Sequence, residues 1–356
     1  MKILHNHPLS SRCTLGVGGN AQQFVQATTL IDVEQALQHC EHEGLSLTVL
    51  GGGSNVVIAD GGVCGLVLSI ALRGKRAFRM GNRARVHVGA GEPWDDFVDH
   101  CVSQNWAGIE CLSGIPGTVG ATPIQNVGAY GQEVSSTIVN VLAYDRSDSR
   151  VVTLSNAECQ FAYRSSIFKT RDLGRHIVLE VEYEFPVGGA PSIKYAELSK
   201  ALASQASPTL HQVRDTVIAL RRQKSMVLDA NDPNGRSCGS FFLNPVVTSE
   251  QLQHIRAVSP AASPPSFPQT DGSFKVPAAW LIEQSGFVKG LERGPVGLST
   301  RHALAIVAHS GATARDVVAL AHEIQDGVLA HFGVRLHPEP IFLGFEKLEH
   351  GLPTLP

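Results

Sequence analysis

The chain has 356 residues, 43% hydrophobic and 17% charged, a balance that fits folded globular domains and excludes extensive disorder. Its formal net charge of -3 speaks against a nucleic-acid groove or an anionic membrane face, both of which need a basic excess. No apolar run reaches the roughly 20 residues of a membrane span, and MKILHNHPLS has neither a long apolar core nor a small-residue cleavage site, so a cytoplasmic protein of two or three domains is expected.

In chain order, Asp32 to Glu43 places Val33, Ala36, Leu37 and Cys40 on one helical face, with Gly44 where a C-terminal cap belongs. Leu45 to Leu50 reads as a strand that runs into GGGSN at 51–55, and Gly65 to Ile70 reads as a second strand. Arg83 to Val88 alternates polar and apolar residues, as a half-buried strand does, and Pro93 opens a helix. The stretch 108–131, GIECLSGIPGTVGATPIQNVGAYG, is too rich in glycine for a helix or central strand and too apolar for a solvated linker. A buried functional loop is the expectation there.

Strands are predicted at 137–145, 150–154 and 176–185, the last with Ile177, Leu179, Val181, Tyr183 and Phe185 opposite Glu180, Glu182 and Glu184. Leu210, Val213, Val217 and Leu220 follow a helical period that ends in Arg221-Arg-Gln-Lys224. Residues 259–272 carry four prolines and read as an exposed loop. A long helix spans Thr313 to Phe332, and a final strand is expected around VRLHPEPIFLG at 334–344. The seven cysteines are scattered without a Cys-x-x-Cys pair, which predicts reduced, mostly buried thiols and no metal site.

GGGSN is no dinucleotide fingerprint, because it lacks the G-x-G-x-x-G spacing and no amphipathic helix follows; nor is it a Walker loop, because no Gly-Lys-Ser/Thr follows. A strand-ending turn and an anion cradle both fit the pentapeptide alone. The second glycine stretch favours the cradle: two such loops can clasp one phosphate-bearing cofactor, and since neither contains a basic residue the grip rests on backbone dipoles.

LGGGSN at 50–55, SGIPGTVGATPIQNVGAYG at 113–131, YRSSIF at 163–168, GSFFLNP at 239–245 and HPEPIF at 337–342 stand in the order seen in the UDP-N-acetylenolpyruvoylglucosamine reductase family, and the chain resembles that family from about Leu15 to Gly344. The resemblance implies an α+β fold: a two-part FAD-binding domain of the vanillyl-alcohol-oxidase (PCMH) type, plus a C-terminal α+β substrate-binding domain. The implied blocks are 1–74 (completed by 333–356), 75–205 and 206–332. It implies non-covalent FAD, NADPH as electron donor, and reduction of the enolpyruvyl group of UDP-N-acetylglucosamine-enolpyruvate to UDP-N-acetylmuramate for peptidoglycan. A monomer is expected, with no nucleic-acid or membrane partner.

The resemblance also assigns residues. Arg164 is the carboxylate partner, a role suited to a planar guanidinium that stays charged. Ser240 is the proton donor, which a weakly acidic hydroxyl can be only toward a strongly basic carbanion within reach. Glu339, set between Pro338 and Pro340, polarises the substrate with Arg164. Cofactor contacts fall to Gly51, Gly52, Gly53, Ser54 and Asn55 in the first loop. In the second they fall to Ser113, Gly114, Ile115, Pro116, Gly117, Gly120, Ala121, Ile124, Gly128, Ala129 and Tyr130. Tyr195, Lys224, Asn244, Phe267 and Lys289 are assigned to substrate. Leu243 stands where many members carry lysine, Phe267 where one branch carries tyrosine, and 226–238 is longer than usual. Two other readings stay open: a different flavin-dependent oxidoreductase of this fold, and a nucleotide-sugar binding protein without catalysis.

Overall fold

Four of the seven α-helices among the described residues start at a threonine capping box. In the computed structural model, which describes residues 1–259 and 263–354, helix α1 (Leu30–Glu43) starts with a reciprocal capping box between Thr29 and Asp32 and ends at Gly44 with φ 65°. Helices α2 (Trp94–Ser103) and α3 (Ala196–Ala201) follow, then α4 (Leu210–Gln223), boxed by Thr209 and Gln212. Beyond them come α5 (Ser249–Val258), boxed by Thr248 and Gln251, and α6 (Ala278–Gln284). Last is α7 (Ala314–Phe332), with a Thr313–Asp316 box and Gly333 at φ 66°. Each such cap contributes about 1 kcal/mol. Residues 260–262, inside the predicted proline-rich loop, and 355–356, inside the segment 333–356, lie outside the described residues.

The chain divides into two compact units. The first comprises Met1–His5, Gln23–Gly52 and Gly65–Leu228. Its framework is an antiparallel sheet in the order Arg150–Ser155, Ile138–Asp145, His176–Pro186, Arg83–Gly89, Lys75–Met80. The alternation of 176–185 is realised: Ile177, Leu179, Val181, Tyr183 and Phe185 are buried, and Phe97 of α2 packs on Tyr183 at 5.1 Å between ring centroids. On the other face the glutamates meet arginines, with Arg76–Glu180 at 2.9 Å, Arg83–Glu184 at 3.0 Å and Arg85–Glu184 at 2.8 Å. Strand Leu47–Leu50 pairs in parallel with residues 66–69 and delivers the chain to Gly51.

The second unit comprises Asn6–Gln22, Gly53–Cys64 and Asp229–Pro356. Strands Glu292–Arg293, Val296–Leu298 and Ile306–Ala308 form an antiparallel sheet. α7 packs against it and buries Val317, Leu320, Ala321, Ile324 and Val328. Strand Ile341–Leu343 pairs in parallel with Val56–Ile58.

Two expectations differ from this arrangement. The final strand is confined to Ile341–Leu343, because Pro338 and Pro340 have no N–H to give a ladder. α4, read from sequence as part of a block 206–332, belongs to the first unit, where it packs on α2 and on the turn Glu110–Leu112. All seven cysteines are free, five of them buried, with Cys13 half-buried and Cys64 exposed.

Candidate active site

The glycine loops approach each other inside the first unit. A Cβ on Gly52 would stand 2.6 Å from Gly117 Cα, and one on Gly51 would stand 3.1 Å from Thr118 Oγ1, so backbone lies on backbone here and only glycine fits at 52. Among the described residues, the N–H groups of Gly51, Gly52, Ile115, Gly117 and Thr118 donate to no protein acceptor. Two touching loops thus carry five backbone donors without a protein acceptor, the kind of group an anion can satisfy. Three other predicted positions have their N–H groups engaged within the protein. The Gly114 N–H donates to Asp95 Oδ1 at 2.6 Å, Gly120 N to Ala90 O at 2.8 Å, and Ala121 N to Thr118 O at 3.0 Å.

Arg164 sits at the corner of a tight turn. Ala162 and Ser165 exchange backbone hydrogen bonds of 3.0 and 3.1 Å, and Arg164 adopts φ 52°, a left-handed conformation that non-glycine residues rarely hold. Its guanidinium donates to Gly128 O at 2.6 Å and lies over the Tyr163 ring at 5.4 Å. Ser166 ties the same turn to Ile124 O at 2.6 Å. YRSS is thereby pinned to the second glycine loop, at a distance of 36 residues in sequence for Arg164.

Beside it, Tyr130 and Tyr195 meet edge to face at 5.4 Å. The Lys224 ammonium lies 5.8 Å from the Tyr130 ring centroid and 2.6 Å from Glu197. Three residues assigned separately from sequence thus share one cluster, and burial pushes the Tyr130 hydroxyl up to about 12. Arg221 adds a positive charge that sequence reading did not place here. Its guanidinium stands beside Gly114 and donates to Met226 O at 2.6 Å, and burial lowers its pKa.

In the second unit GSFF and HPEP lie side by side. Glu339 N donates to Phe241 O at 2.9 Å, Leu243 N donates to His337 O at 2.9 Å, and Phe241 N is held by Leu304 O at 2.7 Å. Ser240 and Glu339 are brought together by this pairing. Asn55, the end of GGGSN, joins them: its Nδ2 donates to Glu339 O at 3.3 Å and its carbonyl accepts from Ile341 N at 3.0 Å. Thr14 completes the set, donating from N to Gly53 O at 3.1 Å and from Oγ1 to Ser237 O at 2.6 Å. Among the described residues the half-buried Ser240 hydroxyl makes no hydrogen bond.

Comparison with known proteins gives the family. Residues 231–343 match the model "UDP-N-acetylenolpyruvoylglucosamine reductase, C-terminal domain", and residues 21–155 match an FAD binding domain. The chain is 45% identical over 348 residues to the UDP-N-acetylenolpyruvoylglucosamine reductase of Thermobifida fusca, covering 95% of this chain and 97% of that one. It is 46% identical over 346 residues to that of Salinispora arenicola, covering 94% of each. The chain belongs to the UDP-N-acetylenolpyruvoylglucosamine reductase family. The crystal structure of the Thermus caldophilus reductase shares its fold, with TM-score 0.66 at 22% identity over 96% of this chain and 98% of that chain.

The residues present fit the FAD that the reductase family carries: the unpaired amides of Gly51, Gly52, Ile115, Gly117 and Thr118 suit a diphosphate that needs donors rather than a lysine. Other positions assigned from the reductase pattern have local duties. Asn244 Oδ1 accepts from Ala278 N at 2.9 Å and so caps the start of α6, which leaves its amide NH2 as the group able to reach a ligand. Lys289 pairs with Glu283 at 3.3 Å, and Phe267 is 57% exposed in a two-residue strand, Phe267–Pro268. Thr14, Asp95 and Glu197 escaped sequence reading, since each acts through a partner distant in sequence; only Glu197, two residues after Tyr195, lay beside an assigned position.

Proposed function

We propose that this chain reduces the enolpyruvyl group of UDP-N-acetylglucosamine-enolpyruvate to UDP-N-acetylmuramate, with NADPH as donor, and that Arg164, Ser240 and Glu339 are its catalytic residues. The observation that carries the assignment is the pairing of GSFF with HPEP, which sets a hydroxyl and a carboxylate of the family's pattern on adjoining backbone. Bound FAD supplies hydride from its N5 position. The protein has two tasks left: stabilising negative charge that spreads from the substrate α-carbon onto its carboxylate, and delivering one proton to that carbon.

Arg164 meets the first task. One arm of its guanidinium is anchored on Gly128 O, so the planar fork is oriented before substrate arrives, and such preorganised donors stabilise developing charge without reorganising. Ser240 meets the second, with a hydroxyl that makes no competing bond among the described residues. Glu339 is held by its own main chain, in the segment beside Phe241 and Asn55, and shares in polarising the substrate. Tyr195 and Lys224 hold the UDP moiety, with the ammonium already poised over Tyr130. We also infer that the enzyme is a cytoplasmic monomer. Among the described residues no helix is long and apolar enough to cross a membrane.

The test is NADPH oxidation by the purified FAD-loaded protein with and without the UDP-linked enolpyruvyl sugar. Turnover that depends on the sugar is expected; a protein that takes up no FAD and shows no such turnover overturns the proposal.

A further inference from the structure

In the second glycine loop the amide of Gly114 is withheld from any ligand. Gly114 N donates to Asp95 Oδ1 at 2.6 Å, and Gly114 itself is at φ 71°. Asp95 lies in the first turn of α2 and is gripped from α4 by Arg214, with Nη1–Oδ1 at 2.6 Å and Nη2–Oδ2 at 3.0 Å. The remaining arm of Arg214, Nε, reaches Asp99 at 2.9 Å, and Arg214 is only 9% exposed. Directly after Gly114 come the unpaired donors of Ile115, Gly117 and Thr118.

A carboxylate this close to an anion cradle opposes anion binding by simple electrostatics. Arg214 offsets that charge, and burial, which raises the Asp95 pKa, is outweighed by its hydrogen bonds with Arg214 and Gly114. What Asp95 offers in return is geometric. An amide in a left-handed turn, bonded to a carboxylate that is locked bidentately, has one orientation, and it anchors the start of the run that carries Ile115, Gly117 and Thr118.

We infer that Asp95 and Arg214 are positioning residues of the cofactor loop, fixing the turn at Gly114 so that the amides of Ile115, Gly117 and Thr118 are presented together to the diphosphate of FAD. This rests on the reading of the two glycine loops as the FAD site. It is independent of which substrate is reduced.

The two roles of Asp95 have opposite signs, and the test uses that. FAD is titrated into the apoprotein by quenching of flavin fluorescence, and thermal unfolding of the apoprotein is measured alongside. If charge alone mattered, Asp95→Ala would bind FAD more tightly. Positioning predicts that Asp95→Ala weakens FAD binding about 10- to 100-fold, the scale of one charge-assisted hydrogen bond. Asp95→Asn, which keeps an acceptor for Gly114 N, recovers part of the loss. Arg214→Lys keeps the charge but loses the fork, and it weakens FAD several-fold; this variant decides the matter if Asp95→Ala does not fold. An FAD affinity that is unchanged or higher in folded Asp95→Ala or Arg214→Lys overturns the inference, including where the apoprotein melts earlier. Wild-type protein that binds no FAD overturns the cofactor reading itself, and the inference with it.

Discussion

Replacing Gly52 by alanine is the sharpest test of the loop contact. The backbone at Gly52 needs no glycine conformation, since its φ lies outside the left-handed range, so any penalty comes from the new methyl alone. That methyl would stand 2.6 Å from Gly117 Cα and 2.9 Å from its carbonyl carbon, about 0.8 Å short of ordinary contact at 3.4 Å. Both neighbours are main chain, so the loops must part rather than a side chain rotate. Overpacking of this kind costs about 1–3 kcal/mol, which for units of this size lowers Tm by roughly 2–12 °C. Moving the Gly117 and Thr118 amides by nearly an ångström should also weaken FAD binding about 10- to 100-fold, as misplaced binding groups do. Gly51→Ala is the internal control. Its methyl meets Thr118 Oγ1 at 3.1 Å, a side-chain atom that can turn away, and Ala121 Cβ at 3.5 Å, which is ordinary contact. We expect Gly51→Ala to stay within about 1 kcal/mol of wild type. Thermal unfolding of the apoprotein and fluorescence titration with FAD read both effects; equal behaviour of the two variants would refute the contact argument.

Three further outcomes are expected. Ser240→Ala should leave flavin reduction by NADPH intact and stall flavin reoxidation by the enolpyruvyl sugar in stopped-flow absorbance, whereas unchanged reoxidation would remove Ser240 from the proton path. Glu339→Gln should lower the reoxidation rate by about 100- to 1,000-fold, the range of a lost electrostatic stabiliser, with FAD affinity unaltered. Asp145→Asn should destabilise the protein at neutral pH by about 1–3 kcal/mol, a discounted figure because Arg175 is 39% exposed. The Arg175 hydrogen bonds hold the Asp145 carboxyl well below the usual range, so its contribution is full above the unfolded-state value near ~4 and fades as pH falls below it. The Tm gap between wild type and Asp145→Asn should therefore narrow from pH 5 to pH 2, and a constant gap would contradict the assignment.

What could be read from sequence was what chain neighbours decide. The cap at Gly44, the helix ending at Phe332 and the alternation Ile177 to Phe185 each lie within one element, and the structure reproduces them. The backbone donors at Gly51 and Gly52 followed from the glycines themselves. Other features depend on partners far away in the chain. Arg214 reaches Asp95 across 119 residues, and Asn55 reaches Glu339 across 284, separations at which no periodicity carries a signal. Such partners also changed the meaning of residues already noticed: Asn244 carries an α6 cap, and Lys224, read as the end of a basic helix, is half of an ion pair with Glu197.

The prolines around Glu339 show why a misread strand and a well-placed carboxylate have one cause. Pro338 and Pro340 have no N–H, so between them the chain has a single donor, the amide of Glu339, and it is given to Phe241 O. The Glu339 carbonyl in turn accepts from Asn55 Nδ2. With donor and acceptor both committed and φ fixed on either side, the main chain holds this residue in place. A continuous ladder would have left the segment free to slip in register and turn every second side chain to the other face. Interrupting it with proline leaves one register, at the cost of a strand shortened to Ile341–Leu343. The Tm of Glu339→Gln, measured beside its reoxidation rate, separates lost chemistry from lost folding: an unchanged Tm with slowed reoxidation is expected, and a Tm that falls with the rate would contradict the catalytic reading.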